Sequence, residues 1–387
     1  MVFAAAETRS FERAAMVLKQ VGGNDVSAST VERVTRQVGL ELAALRDEEG
    51  LAKQSALVQA PEAPPQLAVA ECDGGRIRTR EEGRGRGVHG EAWRETKNAC
   101  LLRMTHQTFA EDPEPELPKA FCDPQRVAKL AEKEAPPASS AELAPPQEGP
   151  GDEAQSKPPW RPQRLVRTCL SSMADSDTFG GQMRREARLR RFFEAPFRAF
   201  LGDGLPWNWS VWKRYFPDFI PILDFIHALS YLYACALALE DKFAVAWSRY
   251  WEMARACWQG GVAEVIAGLN QWLAERGICE GMKLEEKDPR QAVVDAARYL
   301  TNHRGRMDYP RYRRLGLPVT SALMESLVKE VNYRVKGTEM FWNDPRGAEA
   351  ILQVRAAALC DDGRLERYLG TRPGHPFVRR SSVAQAA

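Results

Sequence analysis

Hydrophobic and polar residues change their period several times along this chain. Ser10 to Val21 reads as a helix, broken by Gly22-Gly23-Asn24-Asp25. Ser29-Thr30-Val31-Glu32 has the S-x-x-E form of a capping box, and Val31, Val34, Val38, Leu42 and Leu45 then hold one helical face. Helix, Gly-containing turn, helix over residues 1–59 is the outline of a helix-turn-helix DNA-binding region, and an ordinary helical hairpin fits the same pattern. Short apolar runs follow. Leu67 to Ala70 reads as a strand ending at Cys72-Asp73-Gly74-Gly75, Arg76 to Arg80 as its hairpin partner, and Lys97 to Thr105 as a third strand. Further on, Phe197 to Leu201 is a strand closed by Gly202-Asp203-Gly204. Trp207 to Phe216 is a helix stopped by Pro217, and Phe219 to Leu223 is a second strand, with Asp224 in N-cap position ahead of an apolar helix. Two strands that each end on an acid, joined by a helix, form a βαβ unit, and open α/β sheets place their chemistry beyond the carboxyl ends of such strands.

From Phe225 to Arg306 the pattern is almost all helical: Phe225–Leu239, Phe243–Trp258, Val262–Arg276, and Pro289–Arg304 with Asp288 as cap. Thr320 to Lys336 is a helix with Leu323, Leu327, Val331 and Val335 on one side, and Asp344-Pro345 opens a last helix to Leu359. Residues 361–387 read as a flexible tail.

Composition changes this picture at one place. Residues 109–162 hold 12 of the 25 prolines, and between 109 and 160 eleven acidic residues face five basic ones. Such a stretch predicts a disordered acidic insertion with no core. The 54 Lys+Arg balance 52 Asp+Glu, so the net charge of +2 points to no partner by itself. The eight cysteines include no C-x-x-C pair, which argues against a structural zinc site and fits reduced thiols in a cytoplasm. No signal-peptide pattern opens the sequence, and the apolar run Ala228–Leu239 is far short of the roughly 20 residues of a membrane span.

The candidate chemistry lies in three acids taken in order. Asp73 follows the first strand, Asp203 a later strand, and Glu325 sits on a late helix. This is the plan of a ribonuclease-H-like α/β fold, in which such acids hold two divalent ions for in-line phosphoryl transfer. Hard oxygen ligands suit Mg²⁺ or Mn²⁺. Each residue also has an ordinary reading. Asp73-Gly74 and Asp203-Gly204 are turn signals. Asp224 serves as an N-cap, or in a rival assignment replaces Asp203 as metal ligand. His227 packs on an apolar helix. Glu325 pairs with Lys329 one turn on. The arginines between 184 and 191 form a solvated face or a phosphate-tracking one.

The ordered set of motifs resembles the DDE transposases of insertion sequences, in particular the Kra-type family. It comprises Asp73-Gly74-Gly75-Arg76-Ile77-Arg78, Trp93-Arg94-Glu95-Thr96-Lys97, and Gly202-Asp203-Gly204 with Trp207-Asn208-Trp209. Tyr215-Phe216-Pro217 and Asp224-Phe225-Ile226-His227-Ala228 follow, then His303-Arg304-Gly305-Arg306-Met307-Asp308-Tyr309-Pro310, Gly316-Leu317-Pro318, Met324-Glu325-Ser326, and Lys336-Gly337 with Trp342. The resemblance implies a catalytic, metal-holding triad of Asp73, Asp203 and Glu325. It also implies that Asp224 and His227 are the acid-x-x-His signature that supports the site in Mutator-like transposases. The ribonuclease-H-like domain would be assembled from residues 66–108, 163–230 and 319–360, with a helical insertion at 231–318. The implied function is cleavage and strand transfer of an element with terminal inverted repeats. Water and then a DNA 3′-hydroxyl act as nucleophiles, and no covalent protein–DNA intermediate forms. Double-stranded DNA is the implied partner, a homo-oligomer on DNA the implied assembly, and the nucleoid the implied location. Arg76, Arg78, Arg184, Arg185, Arg188, Arg304, Arg306, Arg311 and Lys336 are the candidate phosphate contacts. A catalytically inactive DNA-binding descendant is the alternative. The turn before Glu325 departs from the family, reading Thr320-Ser321-Ala322 where a Gly-Ser-Gly-like turn is usual.

Overall fold

A computed structural model describes residues 1–48, 58, 61–80, 93–134, 159–278, 282, 284–285, 288–337 and 341–372. The N-terminal helices are α1 (Val2–Glu7), α2 (Phe11–Gly22) and α3 (Ala28–Asp47). Strands β1 (Leu67–Arg78) and β2 (Trp93–Met104), helix α4 (Pro124–Glu134), strand β3 (Arg164–Ser172) and helix α5 (Ser176–Leu189) follow. Next come β4 (Phe197–Gly202), α6 (Pro206–Tyr215), β5 (Ile220–Leu223) and α7 (Phe225–Leu239). The chain continues as α8 (Phe243–Trp258), α9 (Val262–Glu275), α10 (Gln291–His303) and α11 (Tyr309–Arg314), then α12 (Ala322–Val335), α13 (Pro345–Ala358) and α14 (Arg364–Thr371). The architecture is mixed α/β. Its five-stranded sheet has the order β3-β2-β1-β4-β5. β1 pairs antiparallel with β2 and β2 with β3, while β1–β4 and β4–β5 are parallel.

The strand alternation sorts the helices into two layers. Cys100 stands opposite Glu71 in the register, and its thiol reaches the Leu323 carbonyl of α12 at 4.0 Å. Thus α12 rests on the face that carries Glu71. The other face carries Phe200 and Gly202, which meet Trp209 and Asn208 of α6. One hydrophobic core runs through both layers and on into α7–α11, joining Phe200, Phe225, Tyr250, Trp258, Leu300 and Leu327. The helices at 231–318 therefore share the core of the sheet.

Four expectations are corrected. The Asp73-Gly74 hairpin is absent. β1 runs unbroken through it, with Asp73 opposite Asn98, Gly74 opposite Lys97 and Gly75 opposite Thr96. Neither glycine has positive φ, and a Cβ at Gly75 would lie 2.6 Å from Thr96 Oγ1, so close cross-strand approach is what needs glycine there. The partner strand is therefore β2, and the strands read at 76–80 and 67–70 are one.

The first part of the acidic segment, up to Glu134, is not coreless. Leu117, Phe121 and Val127 are buried, and Phe121 packs edge-on to Phe225 at 5.6 Å. Asp112 pairs with buried Arg313, and Trp258 donates to the Glu114 carbonyl at 2.9 Å. The prolines shape a path over α7 and α8, and apolar residues spaced among the acids anchor it. Residues 135–158 of the segment lie outside the described residues.

The N-terminal helices form no separate unit. Arg46 of α3 is buried in ion pairs with Asp47 and Glu349 of α13, while Arg334 and Arg355 donate to the Ala5 and Ala6 carbonyls of α1. The cap of α3 is Ser27, whose side chain accepts from the Thr30 N–H, so the box read at Ser29 lies inside the helix. Finally, the tail contains α14, whose Leu365 and Tyr368 are buried. The stretch after Pro373 is outside the described residues.

Candidate functional site

The parallel strands bring three aspartates into one row. Cys72 pairs with Gly202, and Gly202 with Leu223. The next residue on each strand is Asp73, Asp203 and Asp224, and the Asp224 N–H still reaches the Gly202 carbonyl at 3.0 Å. On the antiparallel side Asn98 opposes Asp73 and Ser171 opposes Asn98, with Ser171 Oγ hydrogen-bonded to Asn98 Oδ1 at 2.7 Å. A polar row thus crosses the sheet at the carboxyl ends of its parallel strands.

Asp73 and Asp203 are the half-buried pair of this row. Asp73 Oδ1 accepts from the Gly74 N–H at 2.6 Å. Asp203 Oδ1 accepts from the Leu205 N–H at 2.9 Å and from Asn208 Nδ2 at 2.5 Å. Tyr299 of α10 donates its hydroxyl to the Asp203 carbonyl at 2.7 Å. Both carboxylates bear on the thiol between them. Burial, then Asp203, then Asp73 and Glu71 push Cys72 well above the usual thiol range.

Asp224 is fully buried and both its oxygens are used. Oδ1 accepts from the Ile226 N–H at 3.0 Å, capping α7, and Oδ2 accepts from the Ser321 hydroxyl. His227 Nε2 stands 3.6 Å from the same Oδ2. Ser321 gives α12 no side-chain cap because its hydroxyl is spent on Asp224. That is what the serine of Thr320-Ser321-Ala322 does: it ties the start of α12 to β5.

Glu325 lies in the first turn of α12. Its Oε2 is 3.6 Å from Lys329 Nζ, and its Oε1 is buried without a hydrogen-bond partner among the described residues. At the main chain of the preceding residue, Met324, lies Glu71, to which the sequence reading gave no role. Burial and then the neighbouring Asp224 push the Glu71 carboxyl up to about 8, offset in part by a hydrogen bond at the Met324 main chain. Strand alternation could have found it, since Glu71 is two residues before Asp73 in an otherwise apolar run. Asn208 entered the sequence reading only within the Trp207-Asn208-Trp209 motif, with no role of its own.

The structure therefore places Asp73 and Asp203 side by side, Asp224 in the same row, and Glu325 on the helix laid over β1. Among the described residues, no group of three or more His, Cys, Asp and Glu side chains stands in metal-holding geometry.

The candidate DNA contacts divide. Arg76, Arg188, Arg304, Arg311 and Lys336 are exposed. The others are engaged within the fold. Arg185 donates to the Arg46 carbonyl, Arg184 lies over Phe193, Arg78 over Trp93, and Arg306 over Trp209 at 4.2 Å. Of the arginines of α5, Arg184 and Arg185 are half-buried and Arg188 is exposed, while Arg190 just past the helix is buried and paired with Glu186 and Asp362. No helix among the described residues is long and apolar enough to cross a membrane.

Compared with known proteins, the chain matches no family model and no curated protein.

Proposed function

We propose that this chain is a DDE-type transposase with a ribonuclease-H-like catalytic core. The observation that carries the reading is the sheet order β3-β2-β1-β4-β5 with Asp73 and Asp203 each the next residue after the last β1–β4 pair, Cys72 and Gly202. Glu325, on the helix across β1 and β2, supplies the third carboxylate.

The donor set fits a pair of Mg²⁺ or Mn²⁺ ions in its chemistry. All three groups are hard carboxylates, and the orphaned buried Oε1 of Glu325 is the kind of atom a cation satisfies. Such ions, when bound, activate the attacking oxygen and stabilise the leaving one. The chain's own part is to fix its ligands. β1 and β4 hold Asp73 and Asp203 in register, while Ser321 and Glu71 hold the start of α12 and so aim Glu325. In the reaction, water attacks phosphorus and the P–O3′ bond breaks, freeing a 3′-hydroxyl. That hydroxyl then attacks a target phosphorus, whose own P–O3′ bond breaks. Asp203 is favoured over Asp224 as second ligand because both Asp224 oxygens are spent on α7 and Ser321. Exposed Arg76, Arg188, Arg304, Arg311 and Lys336 would meet phosphates, so binding should weaken steeply with salt.

A second reading, a DNA-binding descendant without catalysis, is favoured by the lack of a closed three-carboxylate group among the described residues. One experiment separates them. The purified chain is incubated with duplex DNA spanning the boundaries of its own element and with Mn²⁺. Strand cleavage is expected from the wild type. Asp203→Asn should lower it about 10³-fold or more, the equivalent of several kcal/mol of transition-state stabilisation, with the melting temperature nearly unchanged. Cleavage that survives Asp203→Asn would sink the triad. Bound but uncleaved DNA would establish the second reading.

A further inference from the structure

Asn208 occupies a place that packing alone does not explain. It is fully buried on α6, between two tryptophans. Its Nδ2 donates to Asp203 Oδ1 at 2.5 Å and to the Cys72 carbonyl of β1 at 3.4 Å. One amide thus bridges β1 and the turn after β4 at the point where their pairing ends, next to both candidate ligands. Its own Oδ1 is buried with no hydrogen-bond partner among the described residues. An unsatisfied buried acceptor is destabilising, and leucine would fill nearly the same volume without it. The neighbourhood is built around the amide. A Cβ at Gly202 would stand 3.2 Å from both Asn208 Cβ and Nδ2 and 3.3 Å from the Trp209 ring, so any larger residue at the end of β4 would press on the amide.

We propose that Asn208 is a positioning residue that locks the Asp203 carboxylate in register with Asp73. This rests on reading Asp203 as a ligand of a divalent cation. The clamp holds Oδ1, and through Cys72 it takes its bearing from β1 itself. Asn208 does not touch the ion. It fixes the angle at which one of the ligands is offered, and a hard ion with strict coordination geometry is sensitive to that angle.

The test is Mn²⁺ binding to the full chain, followed by the loss of the free-ion paramagnetic resonance signal without DNA. Melting temperature and near-ultraviolet circular dichroism are read in parallel. The wild type and four variants are compared: Asp203→Asn, Asn208→Leu, Asn208→Asp and Gly202→Ala. The last keeps the amide in the chain but displaces it. Asn208→Leu and Gly202→Ala are expected to weaken Mn²⁺ binding tenfold or more while the folded spectrum is retained. Asn208→Asp should not restore it, because it keeps the shape but loses the donor. If Asn208→Leu does not fold, Gly202→Ala decides. Asp203→Asn losing Mn²⁺ while folded Asn208→Leu and Gly202→Ala bind it like the wild type would overturn the positioning alone. Wild type and Asp203→Asn that do not differ in Mn²⁺ binding would overturn the ligand reading and this inference together.

Discussion

Asp203 and Asp224 stand in the same position on neighbouring parallel strands, the first residue past the paired register of β4 and β5. They do different work because different layers close over them. The Asp224 end is dry. α12 and α7 pack across it, Ser321 and the Ile226 N–H use both oxygens, and the carboxylate has become a structural cross-link between two helix starts. The Asp203 end is half-exposed at a turn, where the Leu205 N–H, Asn208 of α6 and Tyr299 of α10 are among its contacts. A carboxylate at a strand end is thus a site only where the covering helix leaves it a face. The sharpest way to break the comparison is to exchange the outcomes. Asp224→Ala removes the α7 cap and strands the Ser321 hydroxyl, so it should cost about 2–4 kcal/mol in urea unfolding. Asp203→Ala removes the contacts to the Leu205 N–H and Asn208 at a half-exposed turn and should cost less, about 1 kcal/mol. If Asp203→Ala were the less stable of the two, the division between a structural and an open aspartate would be wrong.

The two ends should also part under acid. Asp203 leans on α10 through Tyr299, whose ring meets His303 at 4.7 Å, and His303 Nδ1 is 3.2 Å from Arg306 Nη1. Burial, and then the Arg306 charge, lowers His303 to about 4. The unfolded imidazole has its ordinary value near 6.5, so the folded form binds its proton less readily than the unfolded form between those values. The stability this contributes is complete above pH 6.5 and is lost as pH falls toward 4. The raised Glu71 carboxyl acts in the opposite sense over the same range, so the test is the difference between two proteins: in melting scans from pH 7 to pH 4, His303→Phe should gain on the wild type as pH falls. A difference between folded His303→Phe and the wild type that stays constant across that range would show that His303 has no part in the acid response.

Much of this was legible along the chain. The βαβ unit, its two terminal acids and the helices from Phe225 onward lie at their expected places within a few residues, because period and cap residues are local signals. What failed was tertiary. Asp73-Gly74 has turn chemistry, yet β2 pairs straight through it, and only the partner strand could reveal that. Phe121 and Leu117 sit among prolines and acids, where composition conceals two core residues. The arginine run carries the pattern of a charged surface, yet Arg190 at its end is buried, paired with Glu186 and Asp362. Glu71 and Asn208 are single polar residues in apolar runs. Their meaning depends on which carboxylates lie across the sheet.

The smallest expected effect tests the ordinary reading of Glu325. Lys329 lies one turn on, with its Nζ 3.6 Å from Oε2 and its side chain 64% exposed. A pair so open to water and so long contributes about 0–0.5 kcal/mol. Lys329→Ala should therefore leave the melting temperature within a degree or two of the wild type. Glu325 is better covered, at 21% exposure, and its Oε1 has no partner among the described residues. If the carboxylate were there to pair with Lys329, then Glu325→Gln and Lys329→Ala would lose the same interaction and behave alike. If it is there to meet a cation, they separate. Glu325→Gln removes the charge from a buried, unsatisfied oxygen and should leave stability unchanged or raise it in the absence of metal. Lys329→Ala removes a competing positive charge and should leave Mn²⁺ affinity unchanged or raise it. A double-mutant cycle on stability, run without metal, gives the coupling between the two side chains directly. Coupling of about 0.5 kcal/mol or less fits a carboxylate held for something other than its lysine, and coupling well above 1 kcal/mol would make Glu325 half of a structural ion pair.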